Sequence, residues 1–299
     1  MTDQSTFDGM LSRLQAGDRL SADEIRDLAA TPDILSLGML ADALRRRLHD
    51  RRVTYVRVAP FSFDHTWANA IPPAAAEVRI TGAPGSLPLA VAAVEQARAA
   101  AGARVVSGYS WTALAVLANG GTSMSRVLDE LKGAGLDAVA EVPIDGVDSL
   151  DTAVDTLRAA GFDQIRLTID KAPGAERVAL LVRAGALQDR VGSIRAINPL
   201  PMLLSSGRPT TGYDDVKMVA IARLAAPHID TVQVDWMRYG PKLAQVALTF
   251  GADDLDGVTA SDAAPDGHRR APLEEVKRNI EAAGFVAAER DGRFGVVSS

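Results

Sequence analysis

Residues 193–201 read SIRAINPLP, residues 211–224 read TGYDDVKMVAIARL, and residues 232–257 read VQVDWMRYGPKLAQVALTFGADDLDG. Short apolar runs alternate here with longer segments that have helical periodicity. Strands that alternate with helices pair in parallel, because a right-handed crossover packs each helix back onto the sheet. This part of the chain therefore predicts an α/β fold built on a parallel sheet.

The same alternation extends through most of the chain and predicts eight strands. They are residues 53–58, 77–81, 104–107, 138–142, 164–169, 193–197, 231–234 and 254–258. The helical patterns between them cover residues 87–101, 123–133, 150–160, 175–184, 214–224 and 241–250. Eight such units predict a closed (βα)8 TIM-type barrel over residues 51–299, preceded by a helical segment at residues 1–50. A doubly wound open sheet is the alternative, but no dinucleotide-binding glycine fingerprint follows the first strand.

Local signals support these boundaries. Glycine ends the helical patterns in GAGL at 133–136, AAGF at 159–162 and AAGF at 282–285, because glycine adopts the left-handed conformation at low cost. Ser21 and Glu24 have the spacing of a capping box ahead of an apolar-periodic stretch.

The composition limits the classes of function. The chain has 299 residues, 47% of them apolar, and a net charge of −6, which argues against a nucleic-acid partner. No apolar stretch is long enough to span a bilayer, and the initial MTDQSTFDGML lacks the features of a secretory signal. The chain contains no cysteine, which excludes disulfides and thiolate metal sites. We therefore expect a cytoplasmic protein with neither a nucleic-acid nor a membrane partner.

Four segments carry a resemblance to a known family, namely the three runs quoted above and EEVKRNIEAAGFVAAERDGRF at 274–294. There the chain resembles the menaquinone branch of the radical SAM superfamily, which comprises aminofutalosine synthase and dehypoxanthine futalosine cyclase, and the related deazaflavin synthase subunits. The resemblance implies a barrel whose CxxxCxxC loop holds a four-iron cluster through thiolates. Because the chain has no cysteine, we expect no iron–sulfur cluster, no radical catalysis, and weak or no binding of S-adenosylmethionine.

Three residues are candidate catalytic groups, because active sites in such barrels lie at the carboxyl ends of the strands. Asp64 and His65 follow the first strand, where the resemblance places the cysteine loop. Glu141 ends the fourth strand, where the resemblance implies contact with a ribose hydroxyl. Two adjacent side chains cannot complete a coordination sphere, so no metal site is predicted.

Gly82 and Gly85 follow the second strand and are candidate cofactor-binding residues. Glycine lacks the Cβ that would keep a ligand from the backbone. The resemblance implies that this turn approaches the methionine end of S-adenosylmethionine, although the family's glycine pair is half replaced here by Ala83.

Five residues are candidate substrate-binding groups. Tyr109, Trp111 and Trp236 offer planar surfaces on which a ring can stack. Arg238 can form bidentate hydrogen bonds to an anionic group. Asn198 begins the segment NPLP, which the resemblance implies lines the pocket.

Three functions are consistent with these patterns. The first is a cluster-free paralogue in or beside the futalosine route to menaquinone, which binds a futalosine-like metabolite or a pathway enzyme without radical catalysis. The second is a non-radical lyase, isomerase or hydrolase for a small anionic or nucleoside-like substrate. The third is a non-catalytic structural partner. Fold analogy does not choose among them, because function depends on the site.

Overall fold

The computed structural model describes residues 4–62, 71–119, 121–202, 212–261 and 272–297. The strands are β1 (Arg52–Ser62), β2 (Glu77–Thr81), β3 (Val105–Ser110), β4 (Ala138–Pro143), β5 (Ile165–Ile169), β6 (Ile194–Pro199), β7 (Thr231–Asp235), β8 (Asp254–Thr259) and β9 (Val286–Glu289). In the described residues they form one nine-stranded sheet of order β2-β3-β4-β5-β6-β7-β8-β1-β9, and β2 also pairs with β1. The pairings β1–β2, β2–β3, β3–β4 and β6–β7 are parallel. The order closes on itself, which confirms the predicted (βα)8 barrel.

Three helices precede β1, and the other helices of the described residues lie between successive strands. They are α1 (Gln4–Ala16), α2 (Ala22–Ala30), α3 (Ile34–His49), α4 (Leu87–Ala101), α5 (Trp111–Ala118), α6 (Met124–Ala134), α7 (Leu150–Ala159), α8 (Gly174–Val191), α9 (Tyr213–Ala225), α10 (Trp236–Leu248) and α11 (Pro272–Ala282). None of these helices, over the residues that the structure describes, is long and apolar enough to cross a membrane.

The local signals in the sequence are confirmed where the structure describes them. The hydroxyl of Ser21 accepts a hydrogen bond from the Glu24 amide at 3.2 Å, and the Glu24 carboxylate accepts one from the Ser21 amide at 2.7 Å. The hydrogen bond from Arg13 and, secondarily, the capping-box hydrogen bonds lower the pKa of Glu24 to about 2. Glycine with positive φ follows α6 at Gly135 and α7 at Gly161.

The sequence patterns did not predict α5 and β9, they predicted only the end of α11, and they placed the start of α10 too late. The α5 sequence WTALAVLA is apolar on all sides, so it shows no helical periodicity. The carboxylate of Asp235 accepts hydrogen bonds from the first amides of α10 and lets the helix begin at Trp236. Gly240, with φ 71°, then interrupts the helix ahead of Pro241.

The chain divides into two compact units. The first unit is Met1–Val53, Thr168–Leu255 and Arg278–Ala287. The second unit is Thr54–Leu167, Asp256–Lys277 and Ala288–Ser299. The predicted division into a helical segment and a barrel domain remains a prediction.

A buried ion network centres on Glu77 of the second unit, whose side chain is fully buried. Its carboxylate accepts hydrogen bonds from Arg79 at 2.7 Å and from Arg166 at 2.9 and 3.0 Å. The hydroxyl of Ser107 donates a further one at 2.5 Å. Arg79 also contacts Asp256 through two hydrogen bonds of 2.8 Å. The network therefore links four strands of the second unit: β2, β3, β5 and β8.

The protonation of this network follows from opposing effects. Burial alone would raise the pKa of Glu77, but the positive charges of Arg166 and Arg79 outweigh it and hold that pKa well below its usual range. The pKa of Asp256 is also lowered, because Arg79 outweighs the burial of that carboxyl. Both carboxyls are therefore ionised at neutral pH.

The Glu77→Gln variant should lower the free energy of unfolding by about 3–5 kcal/mol, because it leaves buried guanidinium groups without their counter-charge. Urea unfolding followed by circular dichroism measures this change. Glu130→Gln is the matched control, because Glu130 pairs with Arg126 on an exposed helix surface and such pairs contribute less than about 1 kcal/mol. Equal losses in the two variants would contradict the role given to the network.

The same variant should change the pH dependence of stability. Because the folded pKa of Glu77 is depressed, its contribution is present above the unfolded carboxyl pKa of about 4.3 and is lost as the pH falls below it. Glu77→Gln should therefore lose less stability than the unaltered protein when the pH is lowered from 6 to 3. Unfolding curves over that range measure the difference.

Candidate functional site

The carboxyl end of β6 holds a buried amide whose oxygen is unsatisfied. Asn198 is 4% exposed, and its Oδ1 has no hydrogen-bond partner among the described residues. A buried acceptor in this state costs about 1–3 kcal/mol unless a ligand or an ordered water supplies a donor. Asn198 is therefore a position where a bound molecule would compensate for an existing deficit.

Two side chains of the first unit hold the backbone that follows Asn198. Arg177 of α8, which is fully buried, donates to the carbonyl oxygens of Leu200 at 2.6 Å, Ala172 at 2.7 Å and Asp170 at 3.0 Å. The phenol of Tyr239 donates to the carbonyl oxygen of Pro199. The guanidinium is suited to this task, because its planar array of N–H groups can serve several carbonyls at once.

Asp215 lies in the first turn of α9 and supplies a second unsatisfied acceptor. Its Oδ1 accepts a hydrogen bond from the Met202 amide at 2.9 Å, and its Oδ2 has no partner within the described part of the chain. Asp215 is 1% exposed and lies at a helix N-terminus, where the helix dipole favours a carboxylate. Burial and, secondarily, the charge of Asp215 raise the pKa of Tyr239, which keeps that phenol a hydrogen-bond donor.

The start of α10 separates two residues that the sequence predicts as parts of one binding site. Trp236 is 6% exposed, whereas the side chain of Arg238 is 43% exposed. Residues two positions apart on a helix are rotated by about 200° about the helix axis, so they point to nearly opposite sides. The two side chains therefore lie on different faces of the same turn, and the prediction that both contact one ligand would require this turn to move.

Three predicted site residues lie on β3, α5 and β4 of the second unit. Tyr109 is buried, with φ 59°, and its hydroxyl donates to the Ala90 carbonyl oxygen of α4 at 3.1 Å. Tyr109 therefore packs between β3 and α4, and its role as a stacking surface remains a prediction. Trp111 is half-buried at the first position of α5, and Glu141 is half-buried on β4 beside Ser110. Their predicted roles remain predictions.

The two candidate cofactor-binding glycines differ in what the backbone requires of them. Gly82 has φ 93°, a conformation that favours glycine whether or not a ligand is present. A Cβ added at Gly85 would meet no atom within 4 Å, so the turn itself does not require glycine there. The role of either residue towards a cofactor remains a prediction.

Two candidate catalytic residues, Asp64 and His65, lie outside the described residues. The other expectations concern metal and cluster binding. No group of three or more His, Cys, Asp or Glu that could hold a metal ion occurs in the described ranges. The sequence contains no cysteine, so the donor set does not fit a thiolate-bound iron–sulfur cluster.

Comparisons with known proteins support the resemblance at a coarse level. Residues 200–298 match the family described as the CofH/MqnC C-terminal region. The chain is 31% identical over 209 residues to the 5-amino-6-(D-ribitylamino)uracil–L-tyrosine 4-hydroxyphenyl transferase of Archaeoglobus fulgidus, covering 60% of this chain and 61% of that protein. Transferase 1 of the same name from Methanosarcina barkeri is 31% identical over 205 residues, covering 57% of this chain and 54% of the relative. The chain thus spans about three fifths or less of the length of these relatives.

Solved structures agree on the fold. The FeFe-hydrogenase maturase HydG from Carboxydothermus hydrogenoformans superposes with a TM-score of 0.66 at 12% identity, covering 97% of this chain and 81% of that one. Methylornithine synthase (PylB) gives 0.66 at 13% identity, covering 93% and 97%. The family match covers the C-terminal third of this chain, and the solved structures, at 12% and 13% identity, show the fold alone.

Sequence reasoning missed Arg177, Asp215 and Tyr239. Arg177 sits beside Val178 on the buried face of α8, and a cation among apolar positions is a signal of a buried hydrogen-bonding role. Asp215 forms an acidic pair with Asp214 at the start of a helix, which is a signal of a dipole-stabilised carboxylate. Tyr239 carries no such signal, because a tyrosine next to Gly-Pro fits a loop equally well.

Tyr239→Phe should lower the free energy of unfolding by about 1–3 kcal/mol, because it leaves the buried Pro199 carbonyl oxygen without its donor. Tyr213→Phe is the matched control: the Tyr213 phenol also donates to a proline carbonyl oxygen, that of Pro32 at 2.7 Å, but it lies at an exposed position. The control should change stability by less than about 0.5 kcal/mol. Chemical denaturation measures both, and a larger loss in Tyr213→Phe would contradict the anchoring of the β6 end by Tyr239.

Proposed function

We propose that this protein is a cluster-free relative of the CofH/MqnC-type radical SAM proteins that binds a small polar metabolite and performs no radical chemistry. The observation that carries the proposal is the absence of cysteine from a chain with this family match and fold. Radical SAM chemistry depends on a cluster held by thiolates, and this chain supplies none. Binding without that reaction is the function that the remaining features support.

The geometry at the end of β6 favours a ligand rich in hydrogen-bond donors. Asn198 Oδ1 and Asp215 Oδ2 are acceptors, both buried, and both without partners in the described ranges. Donor groups such as ring N–H, amine and hydroxyl would satisfy them. A nitrogen heterocycle with a hydroxylated side chain carries all three kinds of donor.

Two named compounds belong to this class. The curated relatives carry the name of an enzyme that acts on 5-amino-6-(D-ribitylamino)uracil and L-tyrosine. The sequence resemblance predicts a futalosine-like metabolite of the menaquinone route, which also joins a heterocycle to a sugar-derived part. The relatives' names favour the ribitylaminouracil, so we infer that this compound class is the better first ligand and that the menaquinone role is the secondary alternative.

The other predicted features of function stay as proposals. Glu141, Asp64 and His65 remain candidate acid–base groups for a non-radical reaction on the bound metabolite. A pathway enzyme as partner and a cytoplasmic location also remain predictions. None of them is needed for the binding proposal.

Calorimetry and thermal unfolding with 5-amino-6-(D-ribitylamino)uracil, futalosine and L-tyrosine test the proposal. A ligand at one hundred times its dissociation constant adds about 2.7 kcal/mol of stability. Asn198→Leu should abolish this stabilisation. In the absence of ligand the same variant should be as stable as the unaltered protein or more stable, because it replaces an unsatisfied buried amide by an apolar group of similar size.

Asn119→Leu is the control for this experiment, because Asn119 is exposed at the end of α5. It should leave ligand binding unchanged. Stabilisation by none of the three compounds, or equal stabilisation of the unaltered protein and Asn198→Leu, would overturn the proposed function or its location at the β6 end.

A further inference from the structure

A cavity lies among the helices of the first unit, and its lining includes none of Asn198, Arg177, Asp215 and Tyr239. It has a volume of about 710 Å³ and is lined by α2, α8 and α9. Sites for small molecules commonly have volumes of about 300–1,000 Å³ and mostly apolar walls. The volume therefore suits one organic molecule rather than a buried water.

The apolar wall of this cavity, here called the α8 groove, consists of short side chains. Ala175, Ala179, Val182 and Ala186 line it and follow one another at intervals of four, three and four residues, which places them on one face of α8. The face is about 16 Å long at 1.5 Å per residue. Alanine side chains are too short to fill the space between α8 and α2, which is why an open volume remains.

The charged residues that line the groove are Arg26, Arg183, Lys217 and Asp214. Arg26 forms an ion pair with Asp23, and Arg183 is engaged in an interaction of its own, so Lys217 is the cation that matters for a ligand. Lys217 is half-buried, and its ammonium donates to the Thr31 carbonyl oxygen at 2.7 Å. Burial lowers the pKa of Lys217, although Asp214 partly opposes the change. A negative charge in the groove would therefore offset an existing electrostatic cost.

We propose that the α8 groove binds an amphiphilic anion, a molecule with an apolar body and a carboxylate, sulfonate or phosphate group. The apolar body would lie along Ala179 and Val182, and the anionic group would lie near Lys217. Volume and charge both favour this occupant, because the cavity is of single-ligand size and Asp214 only partly offsets the burial of the Lys217 ammonium. The proposal does not depend on the proposed function, since it involves different residues and a different class of ligand.

The test uses 8-anilinonaphthalene-1-sulfonate, an apolar fluorescent anion, titrated into the full chain at low salt. Saturable binding of one equivalent is expected, and decanoate should displace the probe more effectively than decanol. Ala179→Phe fills the groove and should weaken binding roughly tenfold or more, the effect expected when a pocket loses room for a few carbon atoms. Lys217→Gln should weaken binding about threefold to fivefold and reduce the preference for decanoate over decanol, as the loss of a partly exposed charge pair predicts.

Ala100→Phe is the matched control, because Ala100 is exposed on α4 and does not line the groove. It should bind the probe like the unaltered protein, and all variants should keep the same melting temperature in the absence of probe. Probe binding that is unaffected by both groove variants would overturn the proposal, as would equal displacement by decanoate and decanol. A dimer in sedimentation velocity that Ala179→Phe disrupts would also overturn it, because the groove would then be an interface between copies of the chain.

Discussion

The carboxylate of Glu77, enclosed by the guanidinium groups of Arg79 and Arg166, is the interaction on which the second unit most depends. A buried ion of either sign is destabilising unless its partners are in place, and here each charge has a partner from another strand or from the next position on the same face. Arg166 extends the network to the Gly292 carbonyl oxygen at 2.9 Å. Its guanidinium lies 5.3 Å from the Phe294 ring centroid, and that of Arg290 lies 4.0 Å from the same centroid. The network thus fixes the residues after β9 as well as the strands.

In the first unit, buried donors hold backbone carbonyl oxygens. Arg177 and Tyr239 donate to carbonyl oxygens at the end of β6 and around the start of α8, and so hold the segment from Asn198 to Leu200. The donors of Arg177 and Tyr239 serve backbone oxygens. Asn198 Oδ1 and Asp215 Oδ2 have no hydrogen-bond partner in the part of the chain that the structure describes. Polar groups that remain unsatisfied in an otherwise well-paired environment are the physical reason for expecting a ligand there.

Much of the fold could be predicted from the sequence, because strand and helix periods are local properties. Apolar runs predicted the eight barrel strands, and the glycines after α6 and α7 predicted the ends of those helices. The ion network was not predicted, although Glu77 and Arg79 are two apart on β2 and so share a face, because their partners Arg166 and Asp256 are 89 and 177 residues away from them. The directions in which Trp236 and Arg238 point depend on the residue at which α10 begins. The N-cap at Asp235 sets that residue.

This chain has the barrel fold and no cysteine with which to hold a thiolate-bound iron–sulfur cluster. Anaerobic reconstitution with excess iron and sulfide, followed by desalting, iron quantification and visible spectroscopy, tests it most directly. We expect far less than one iron per chain and no thiolate-to-iron charge-transfer band, because the sequence has no cysteine. Retention of about four irons per chain together with that band would contradict it.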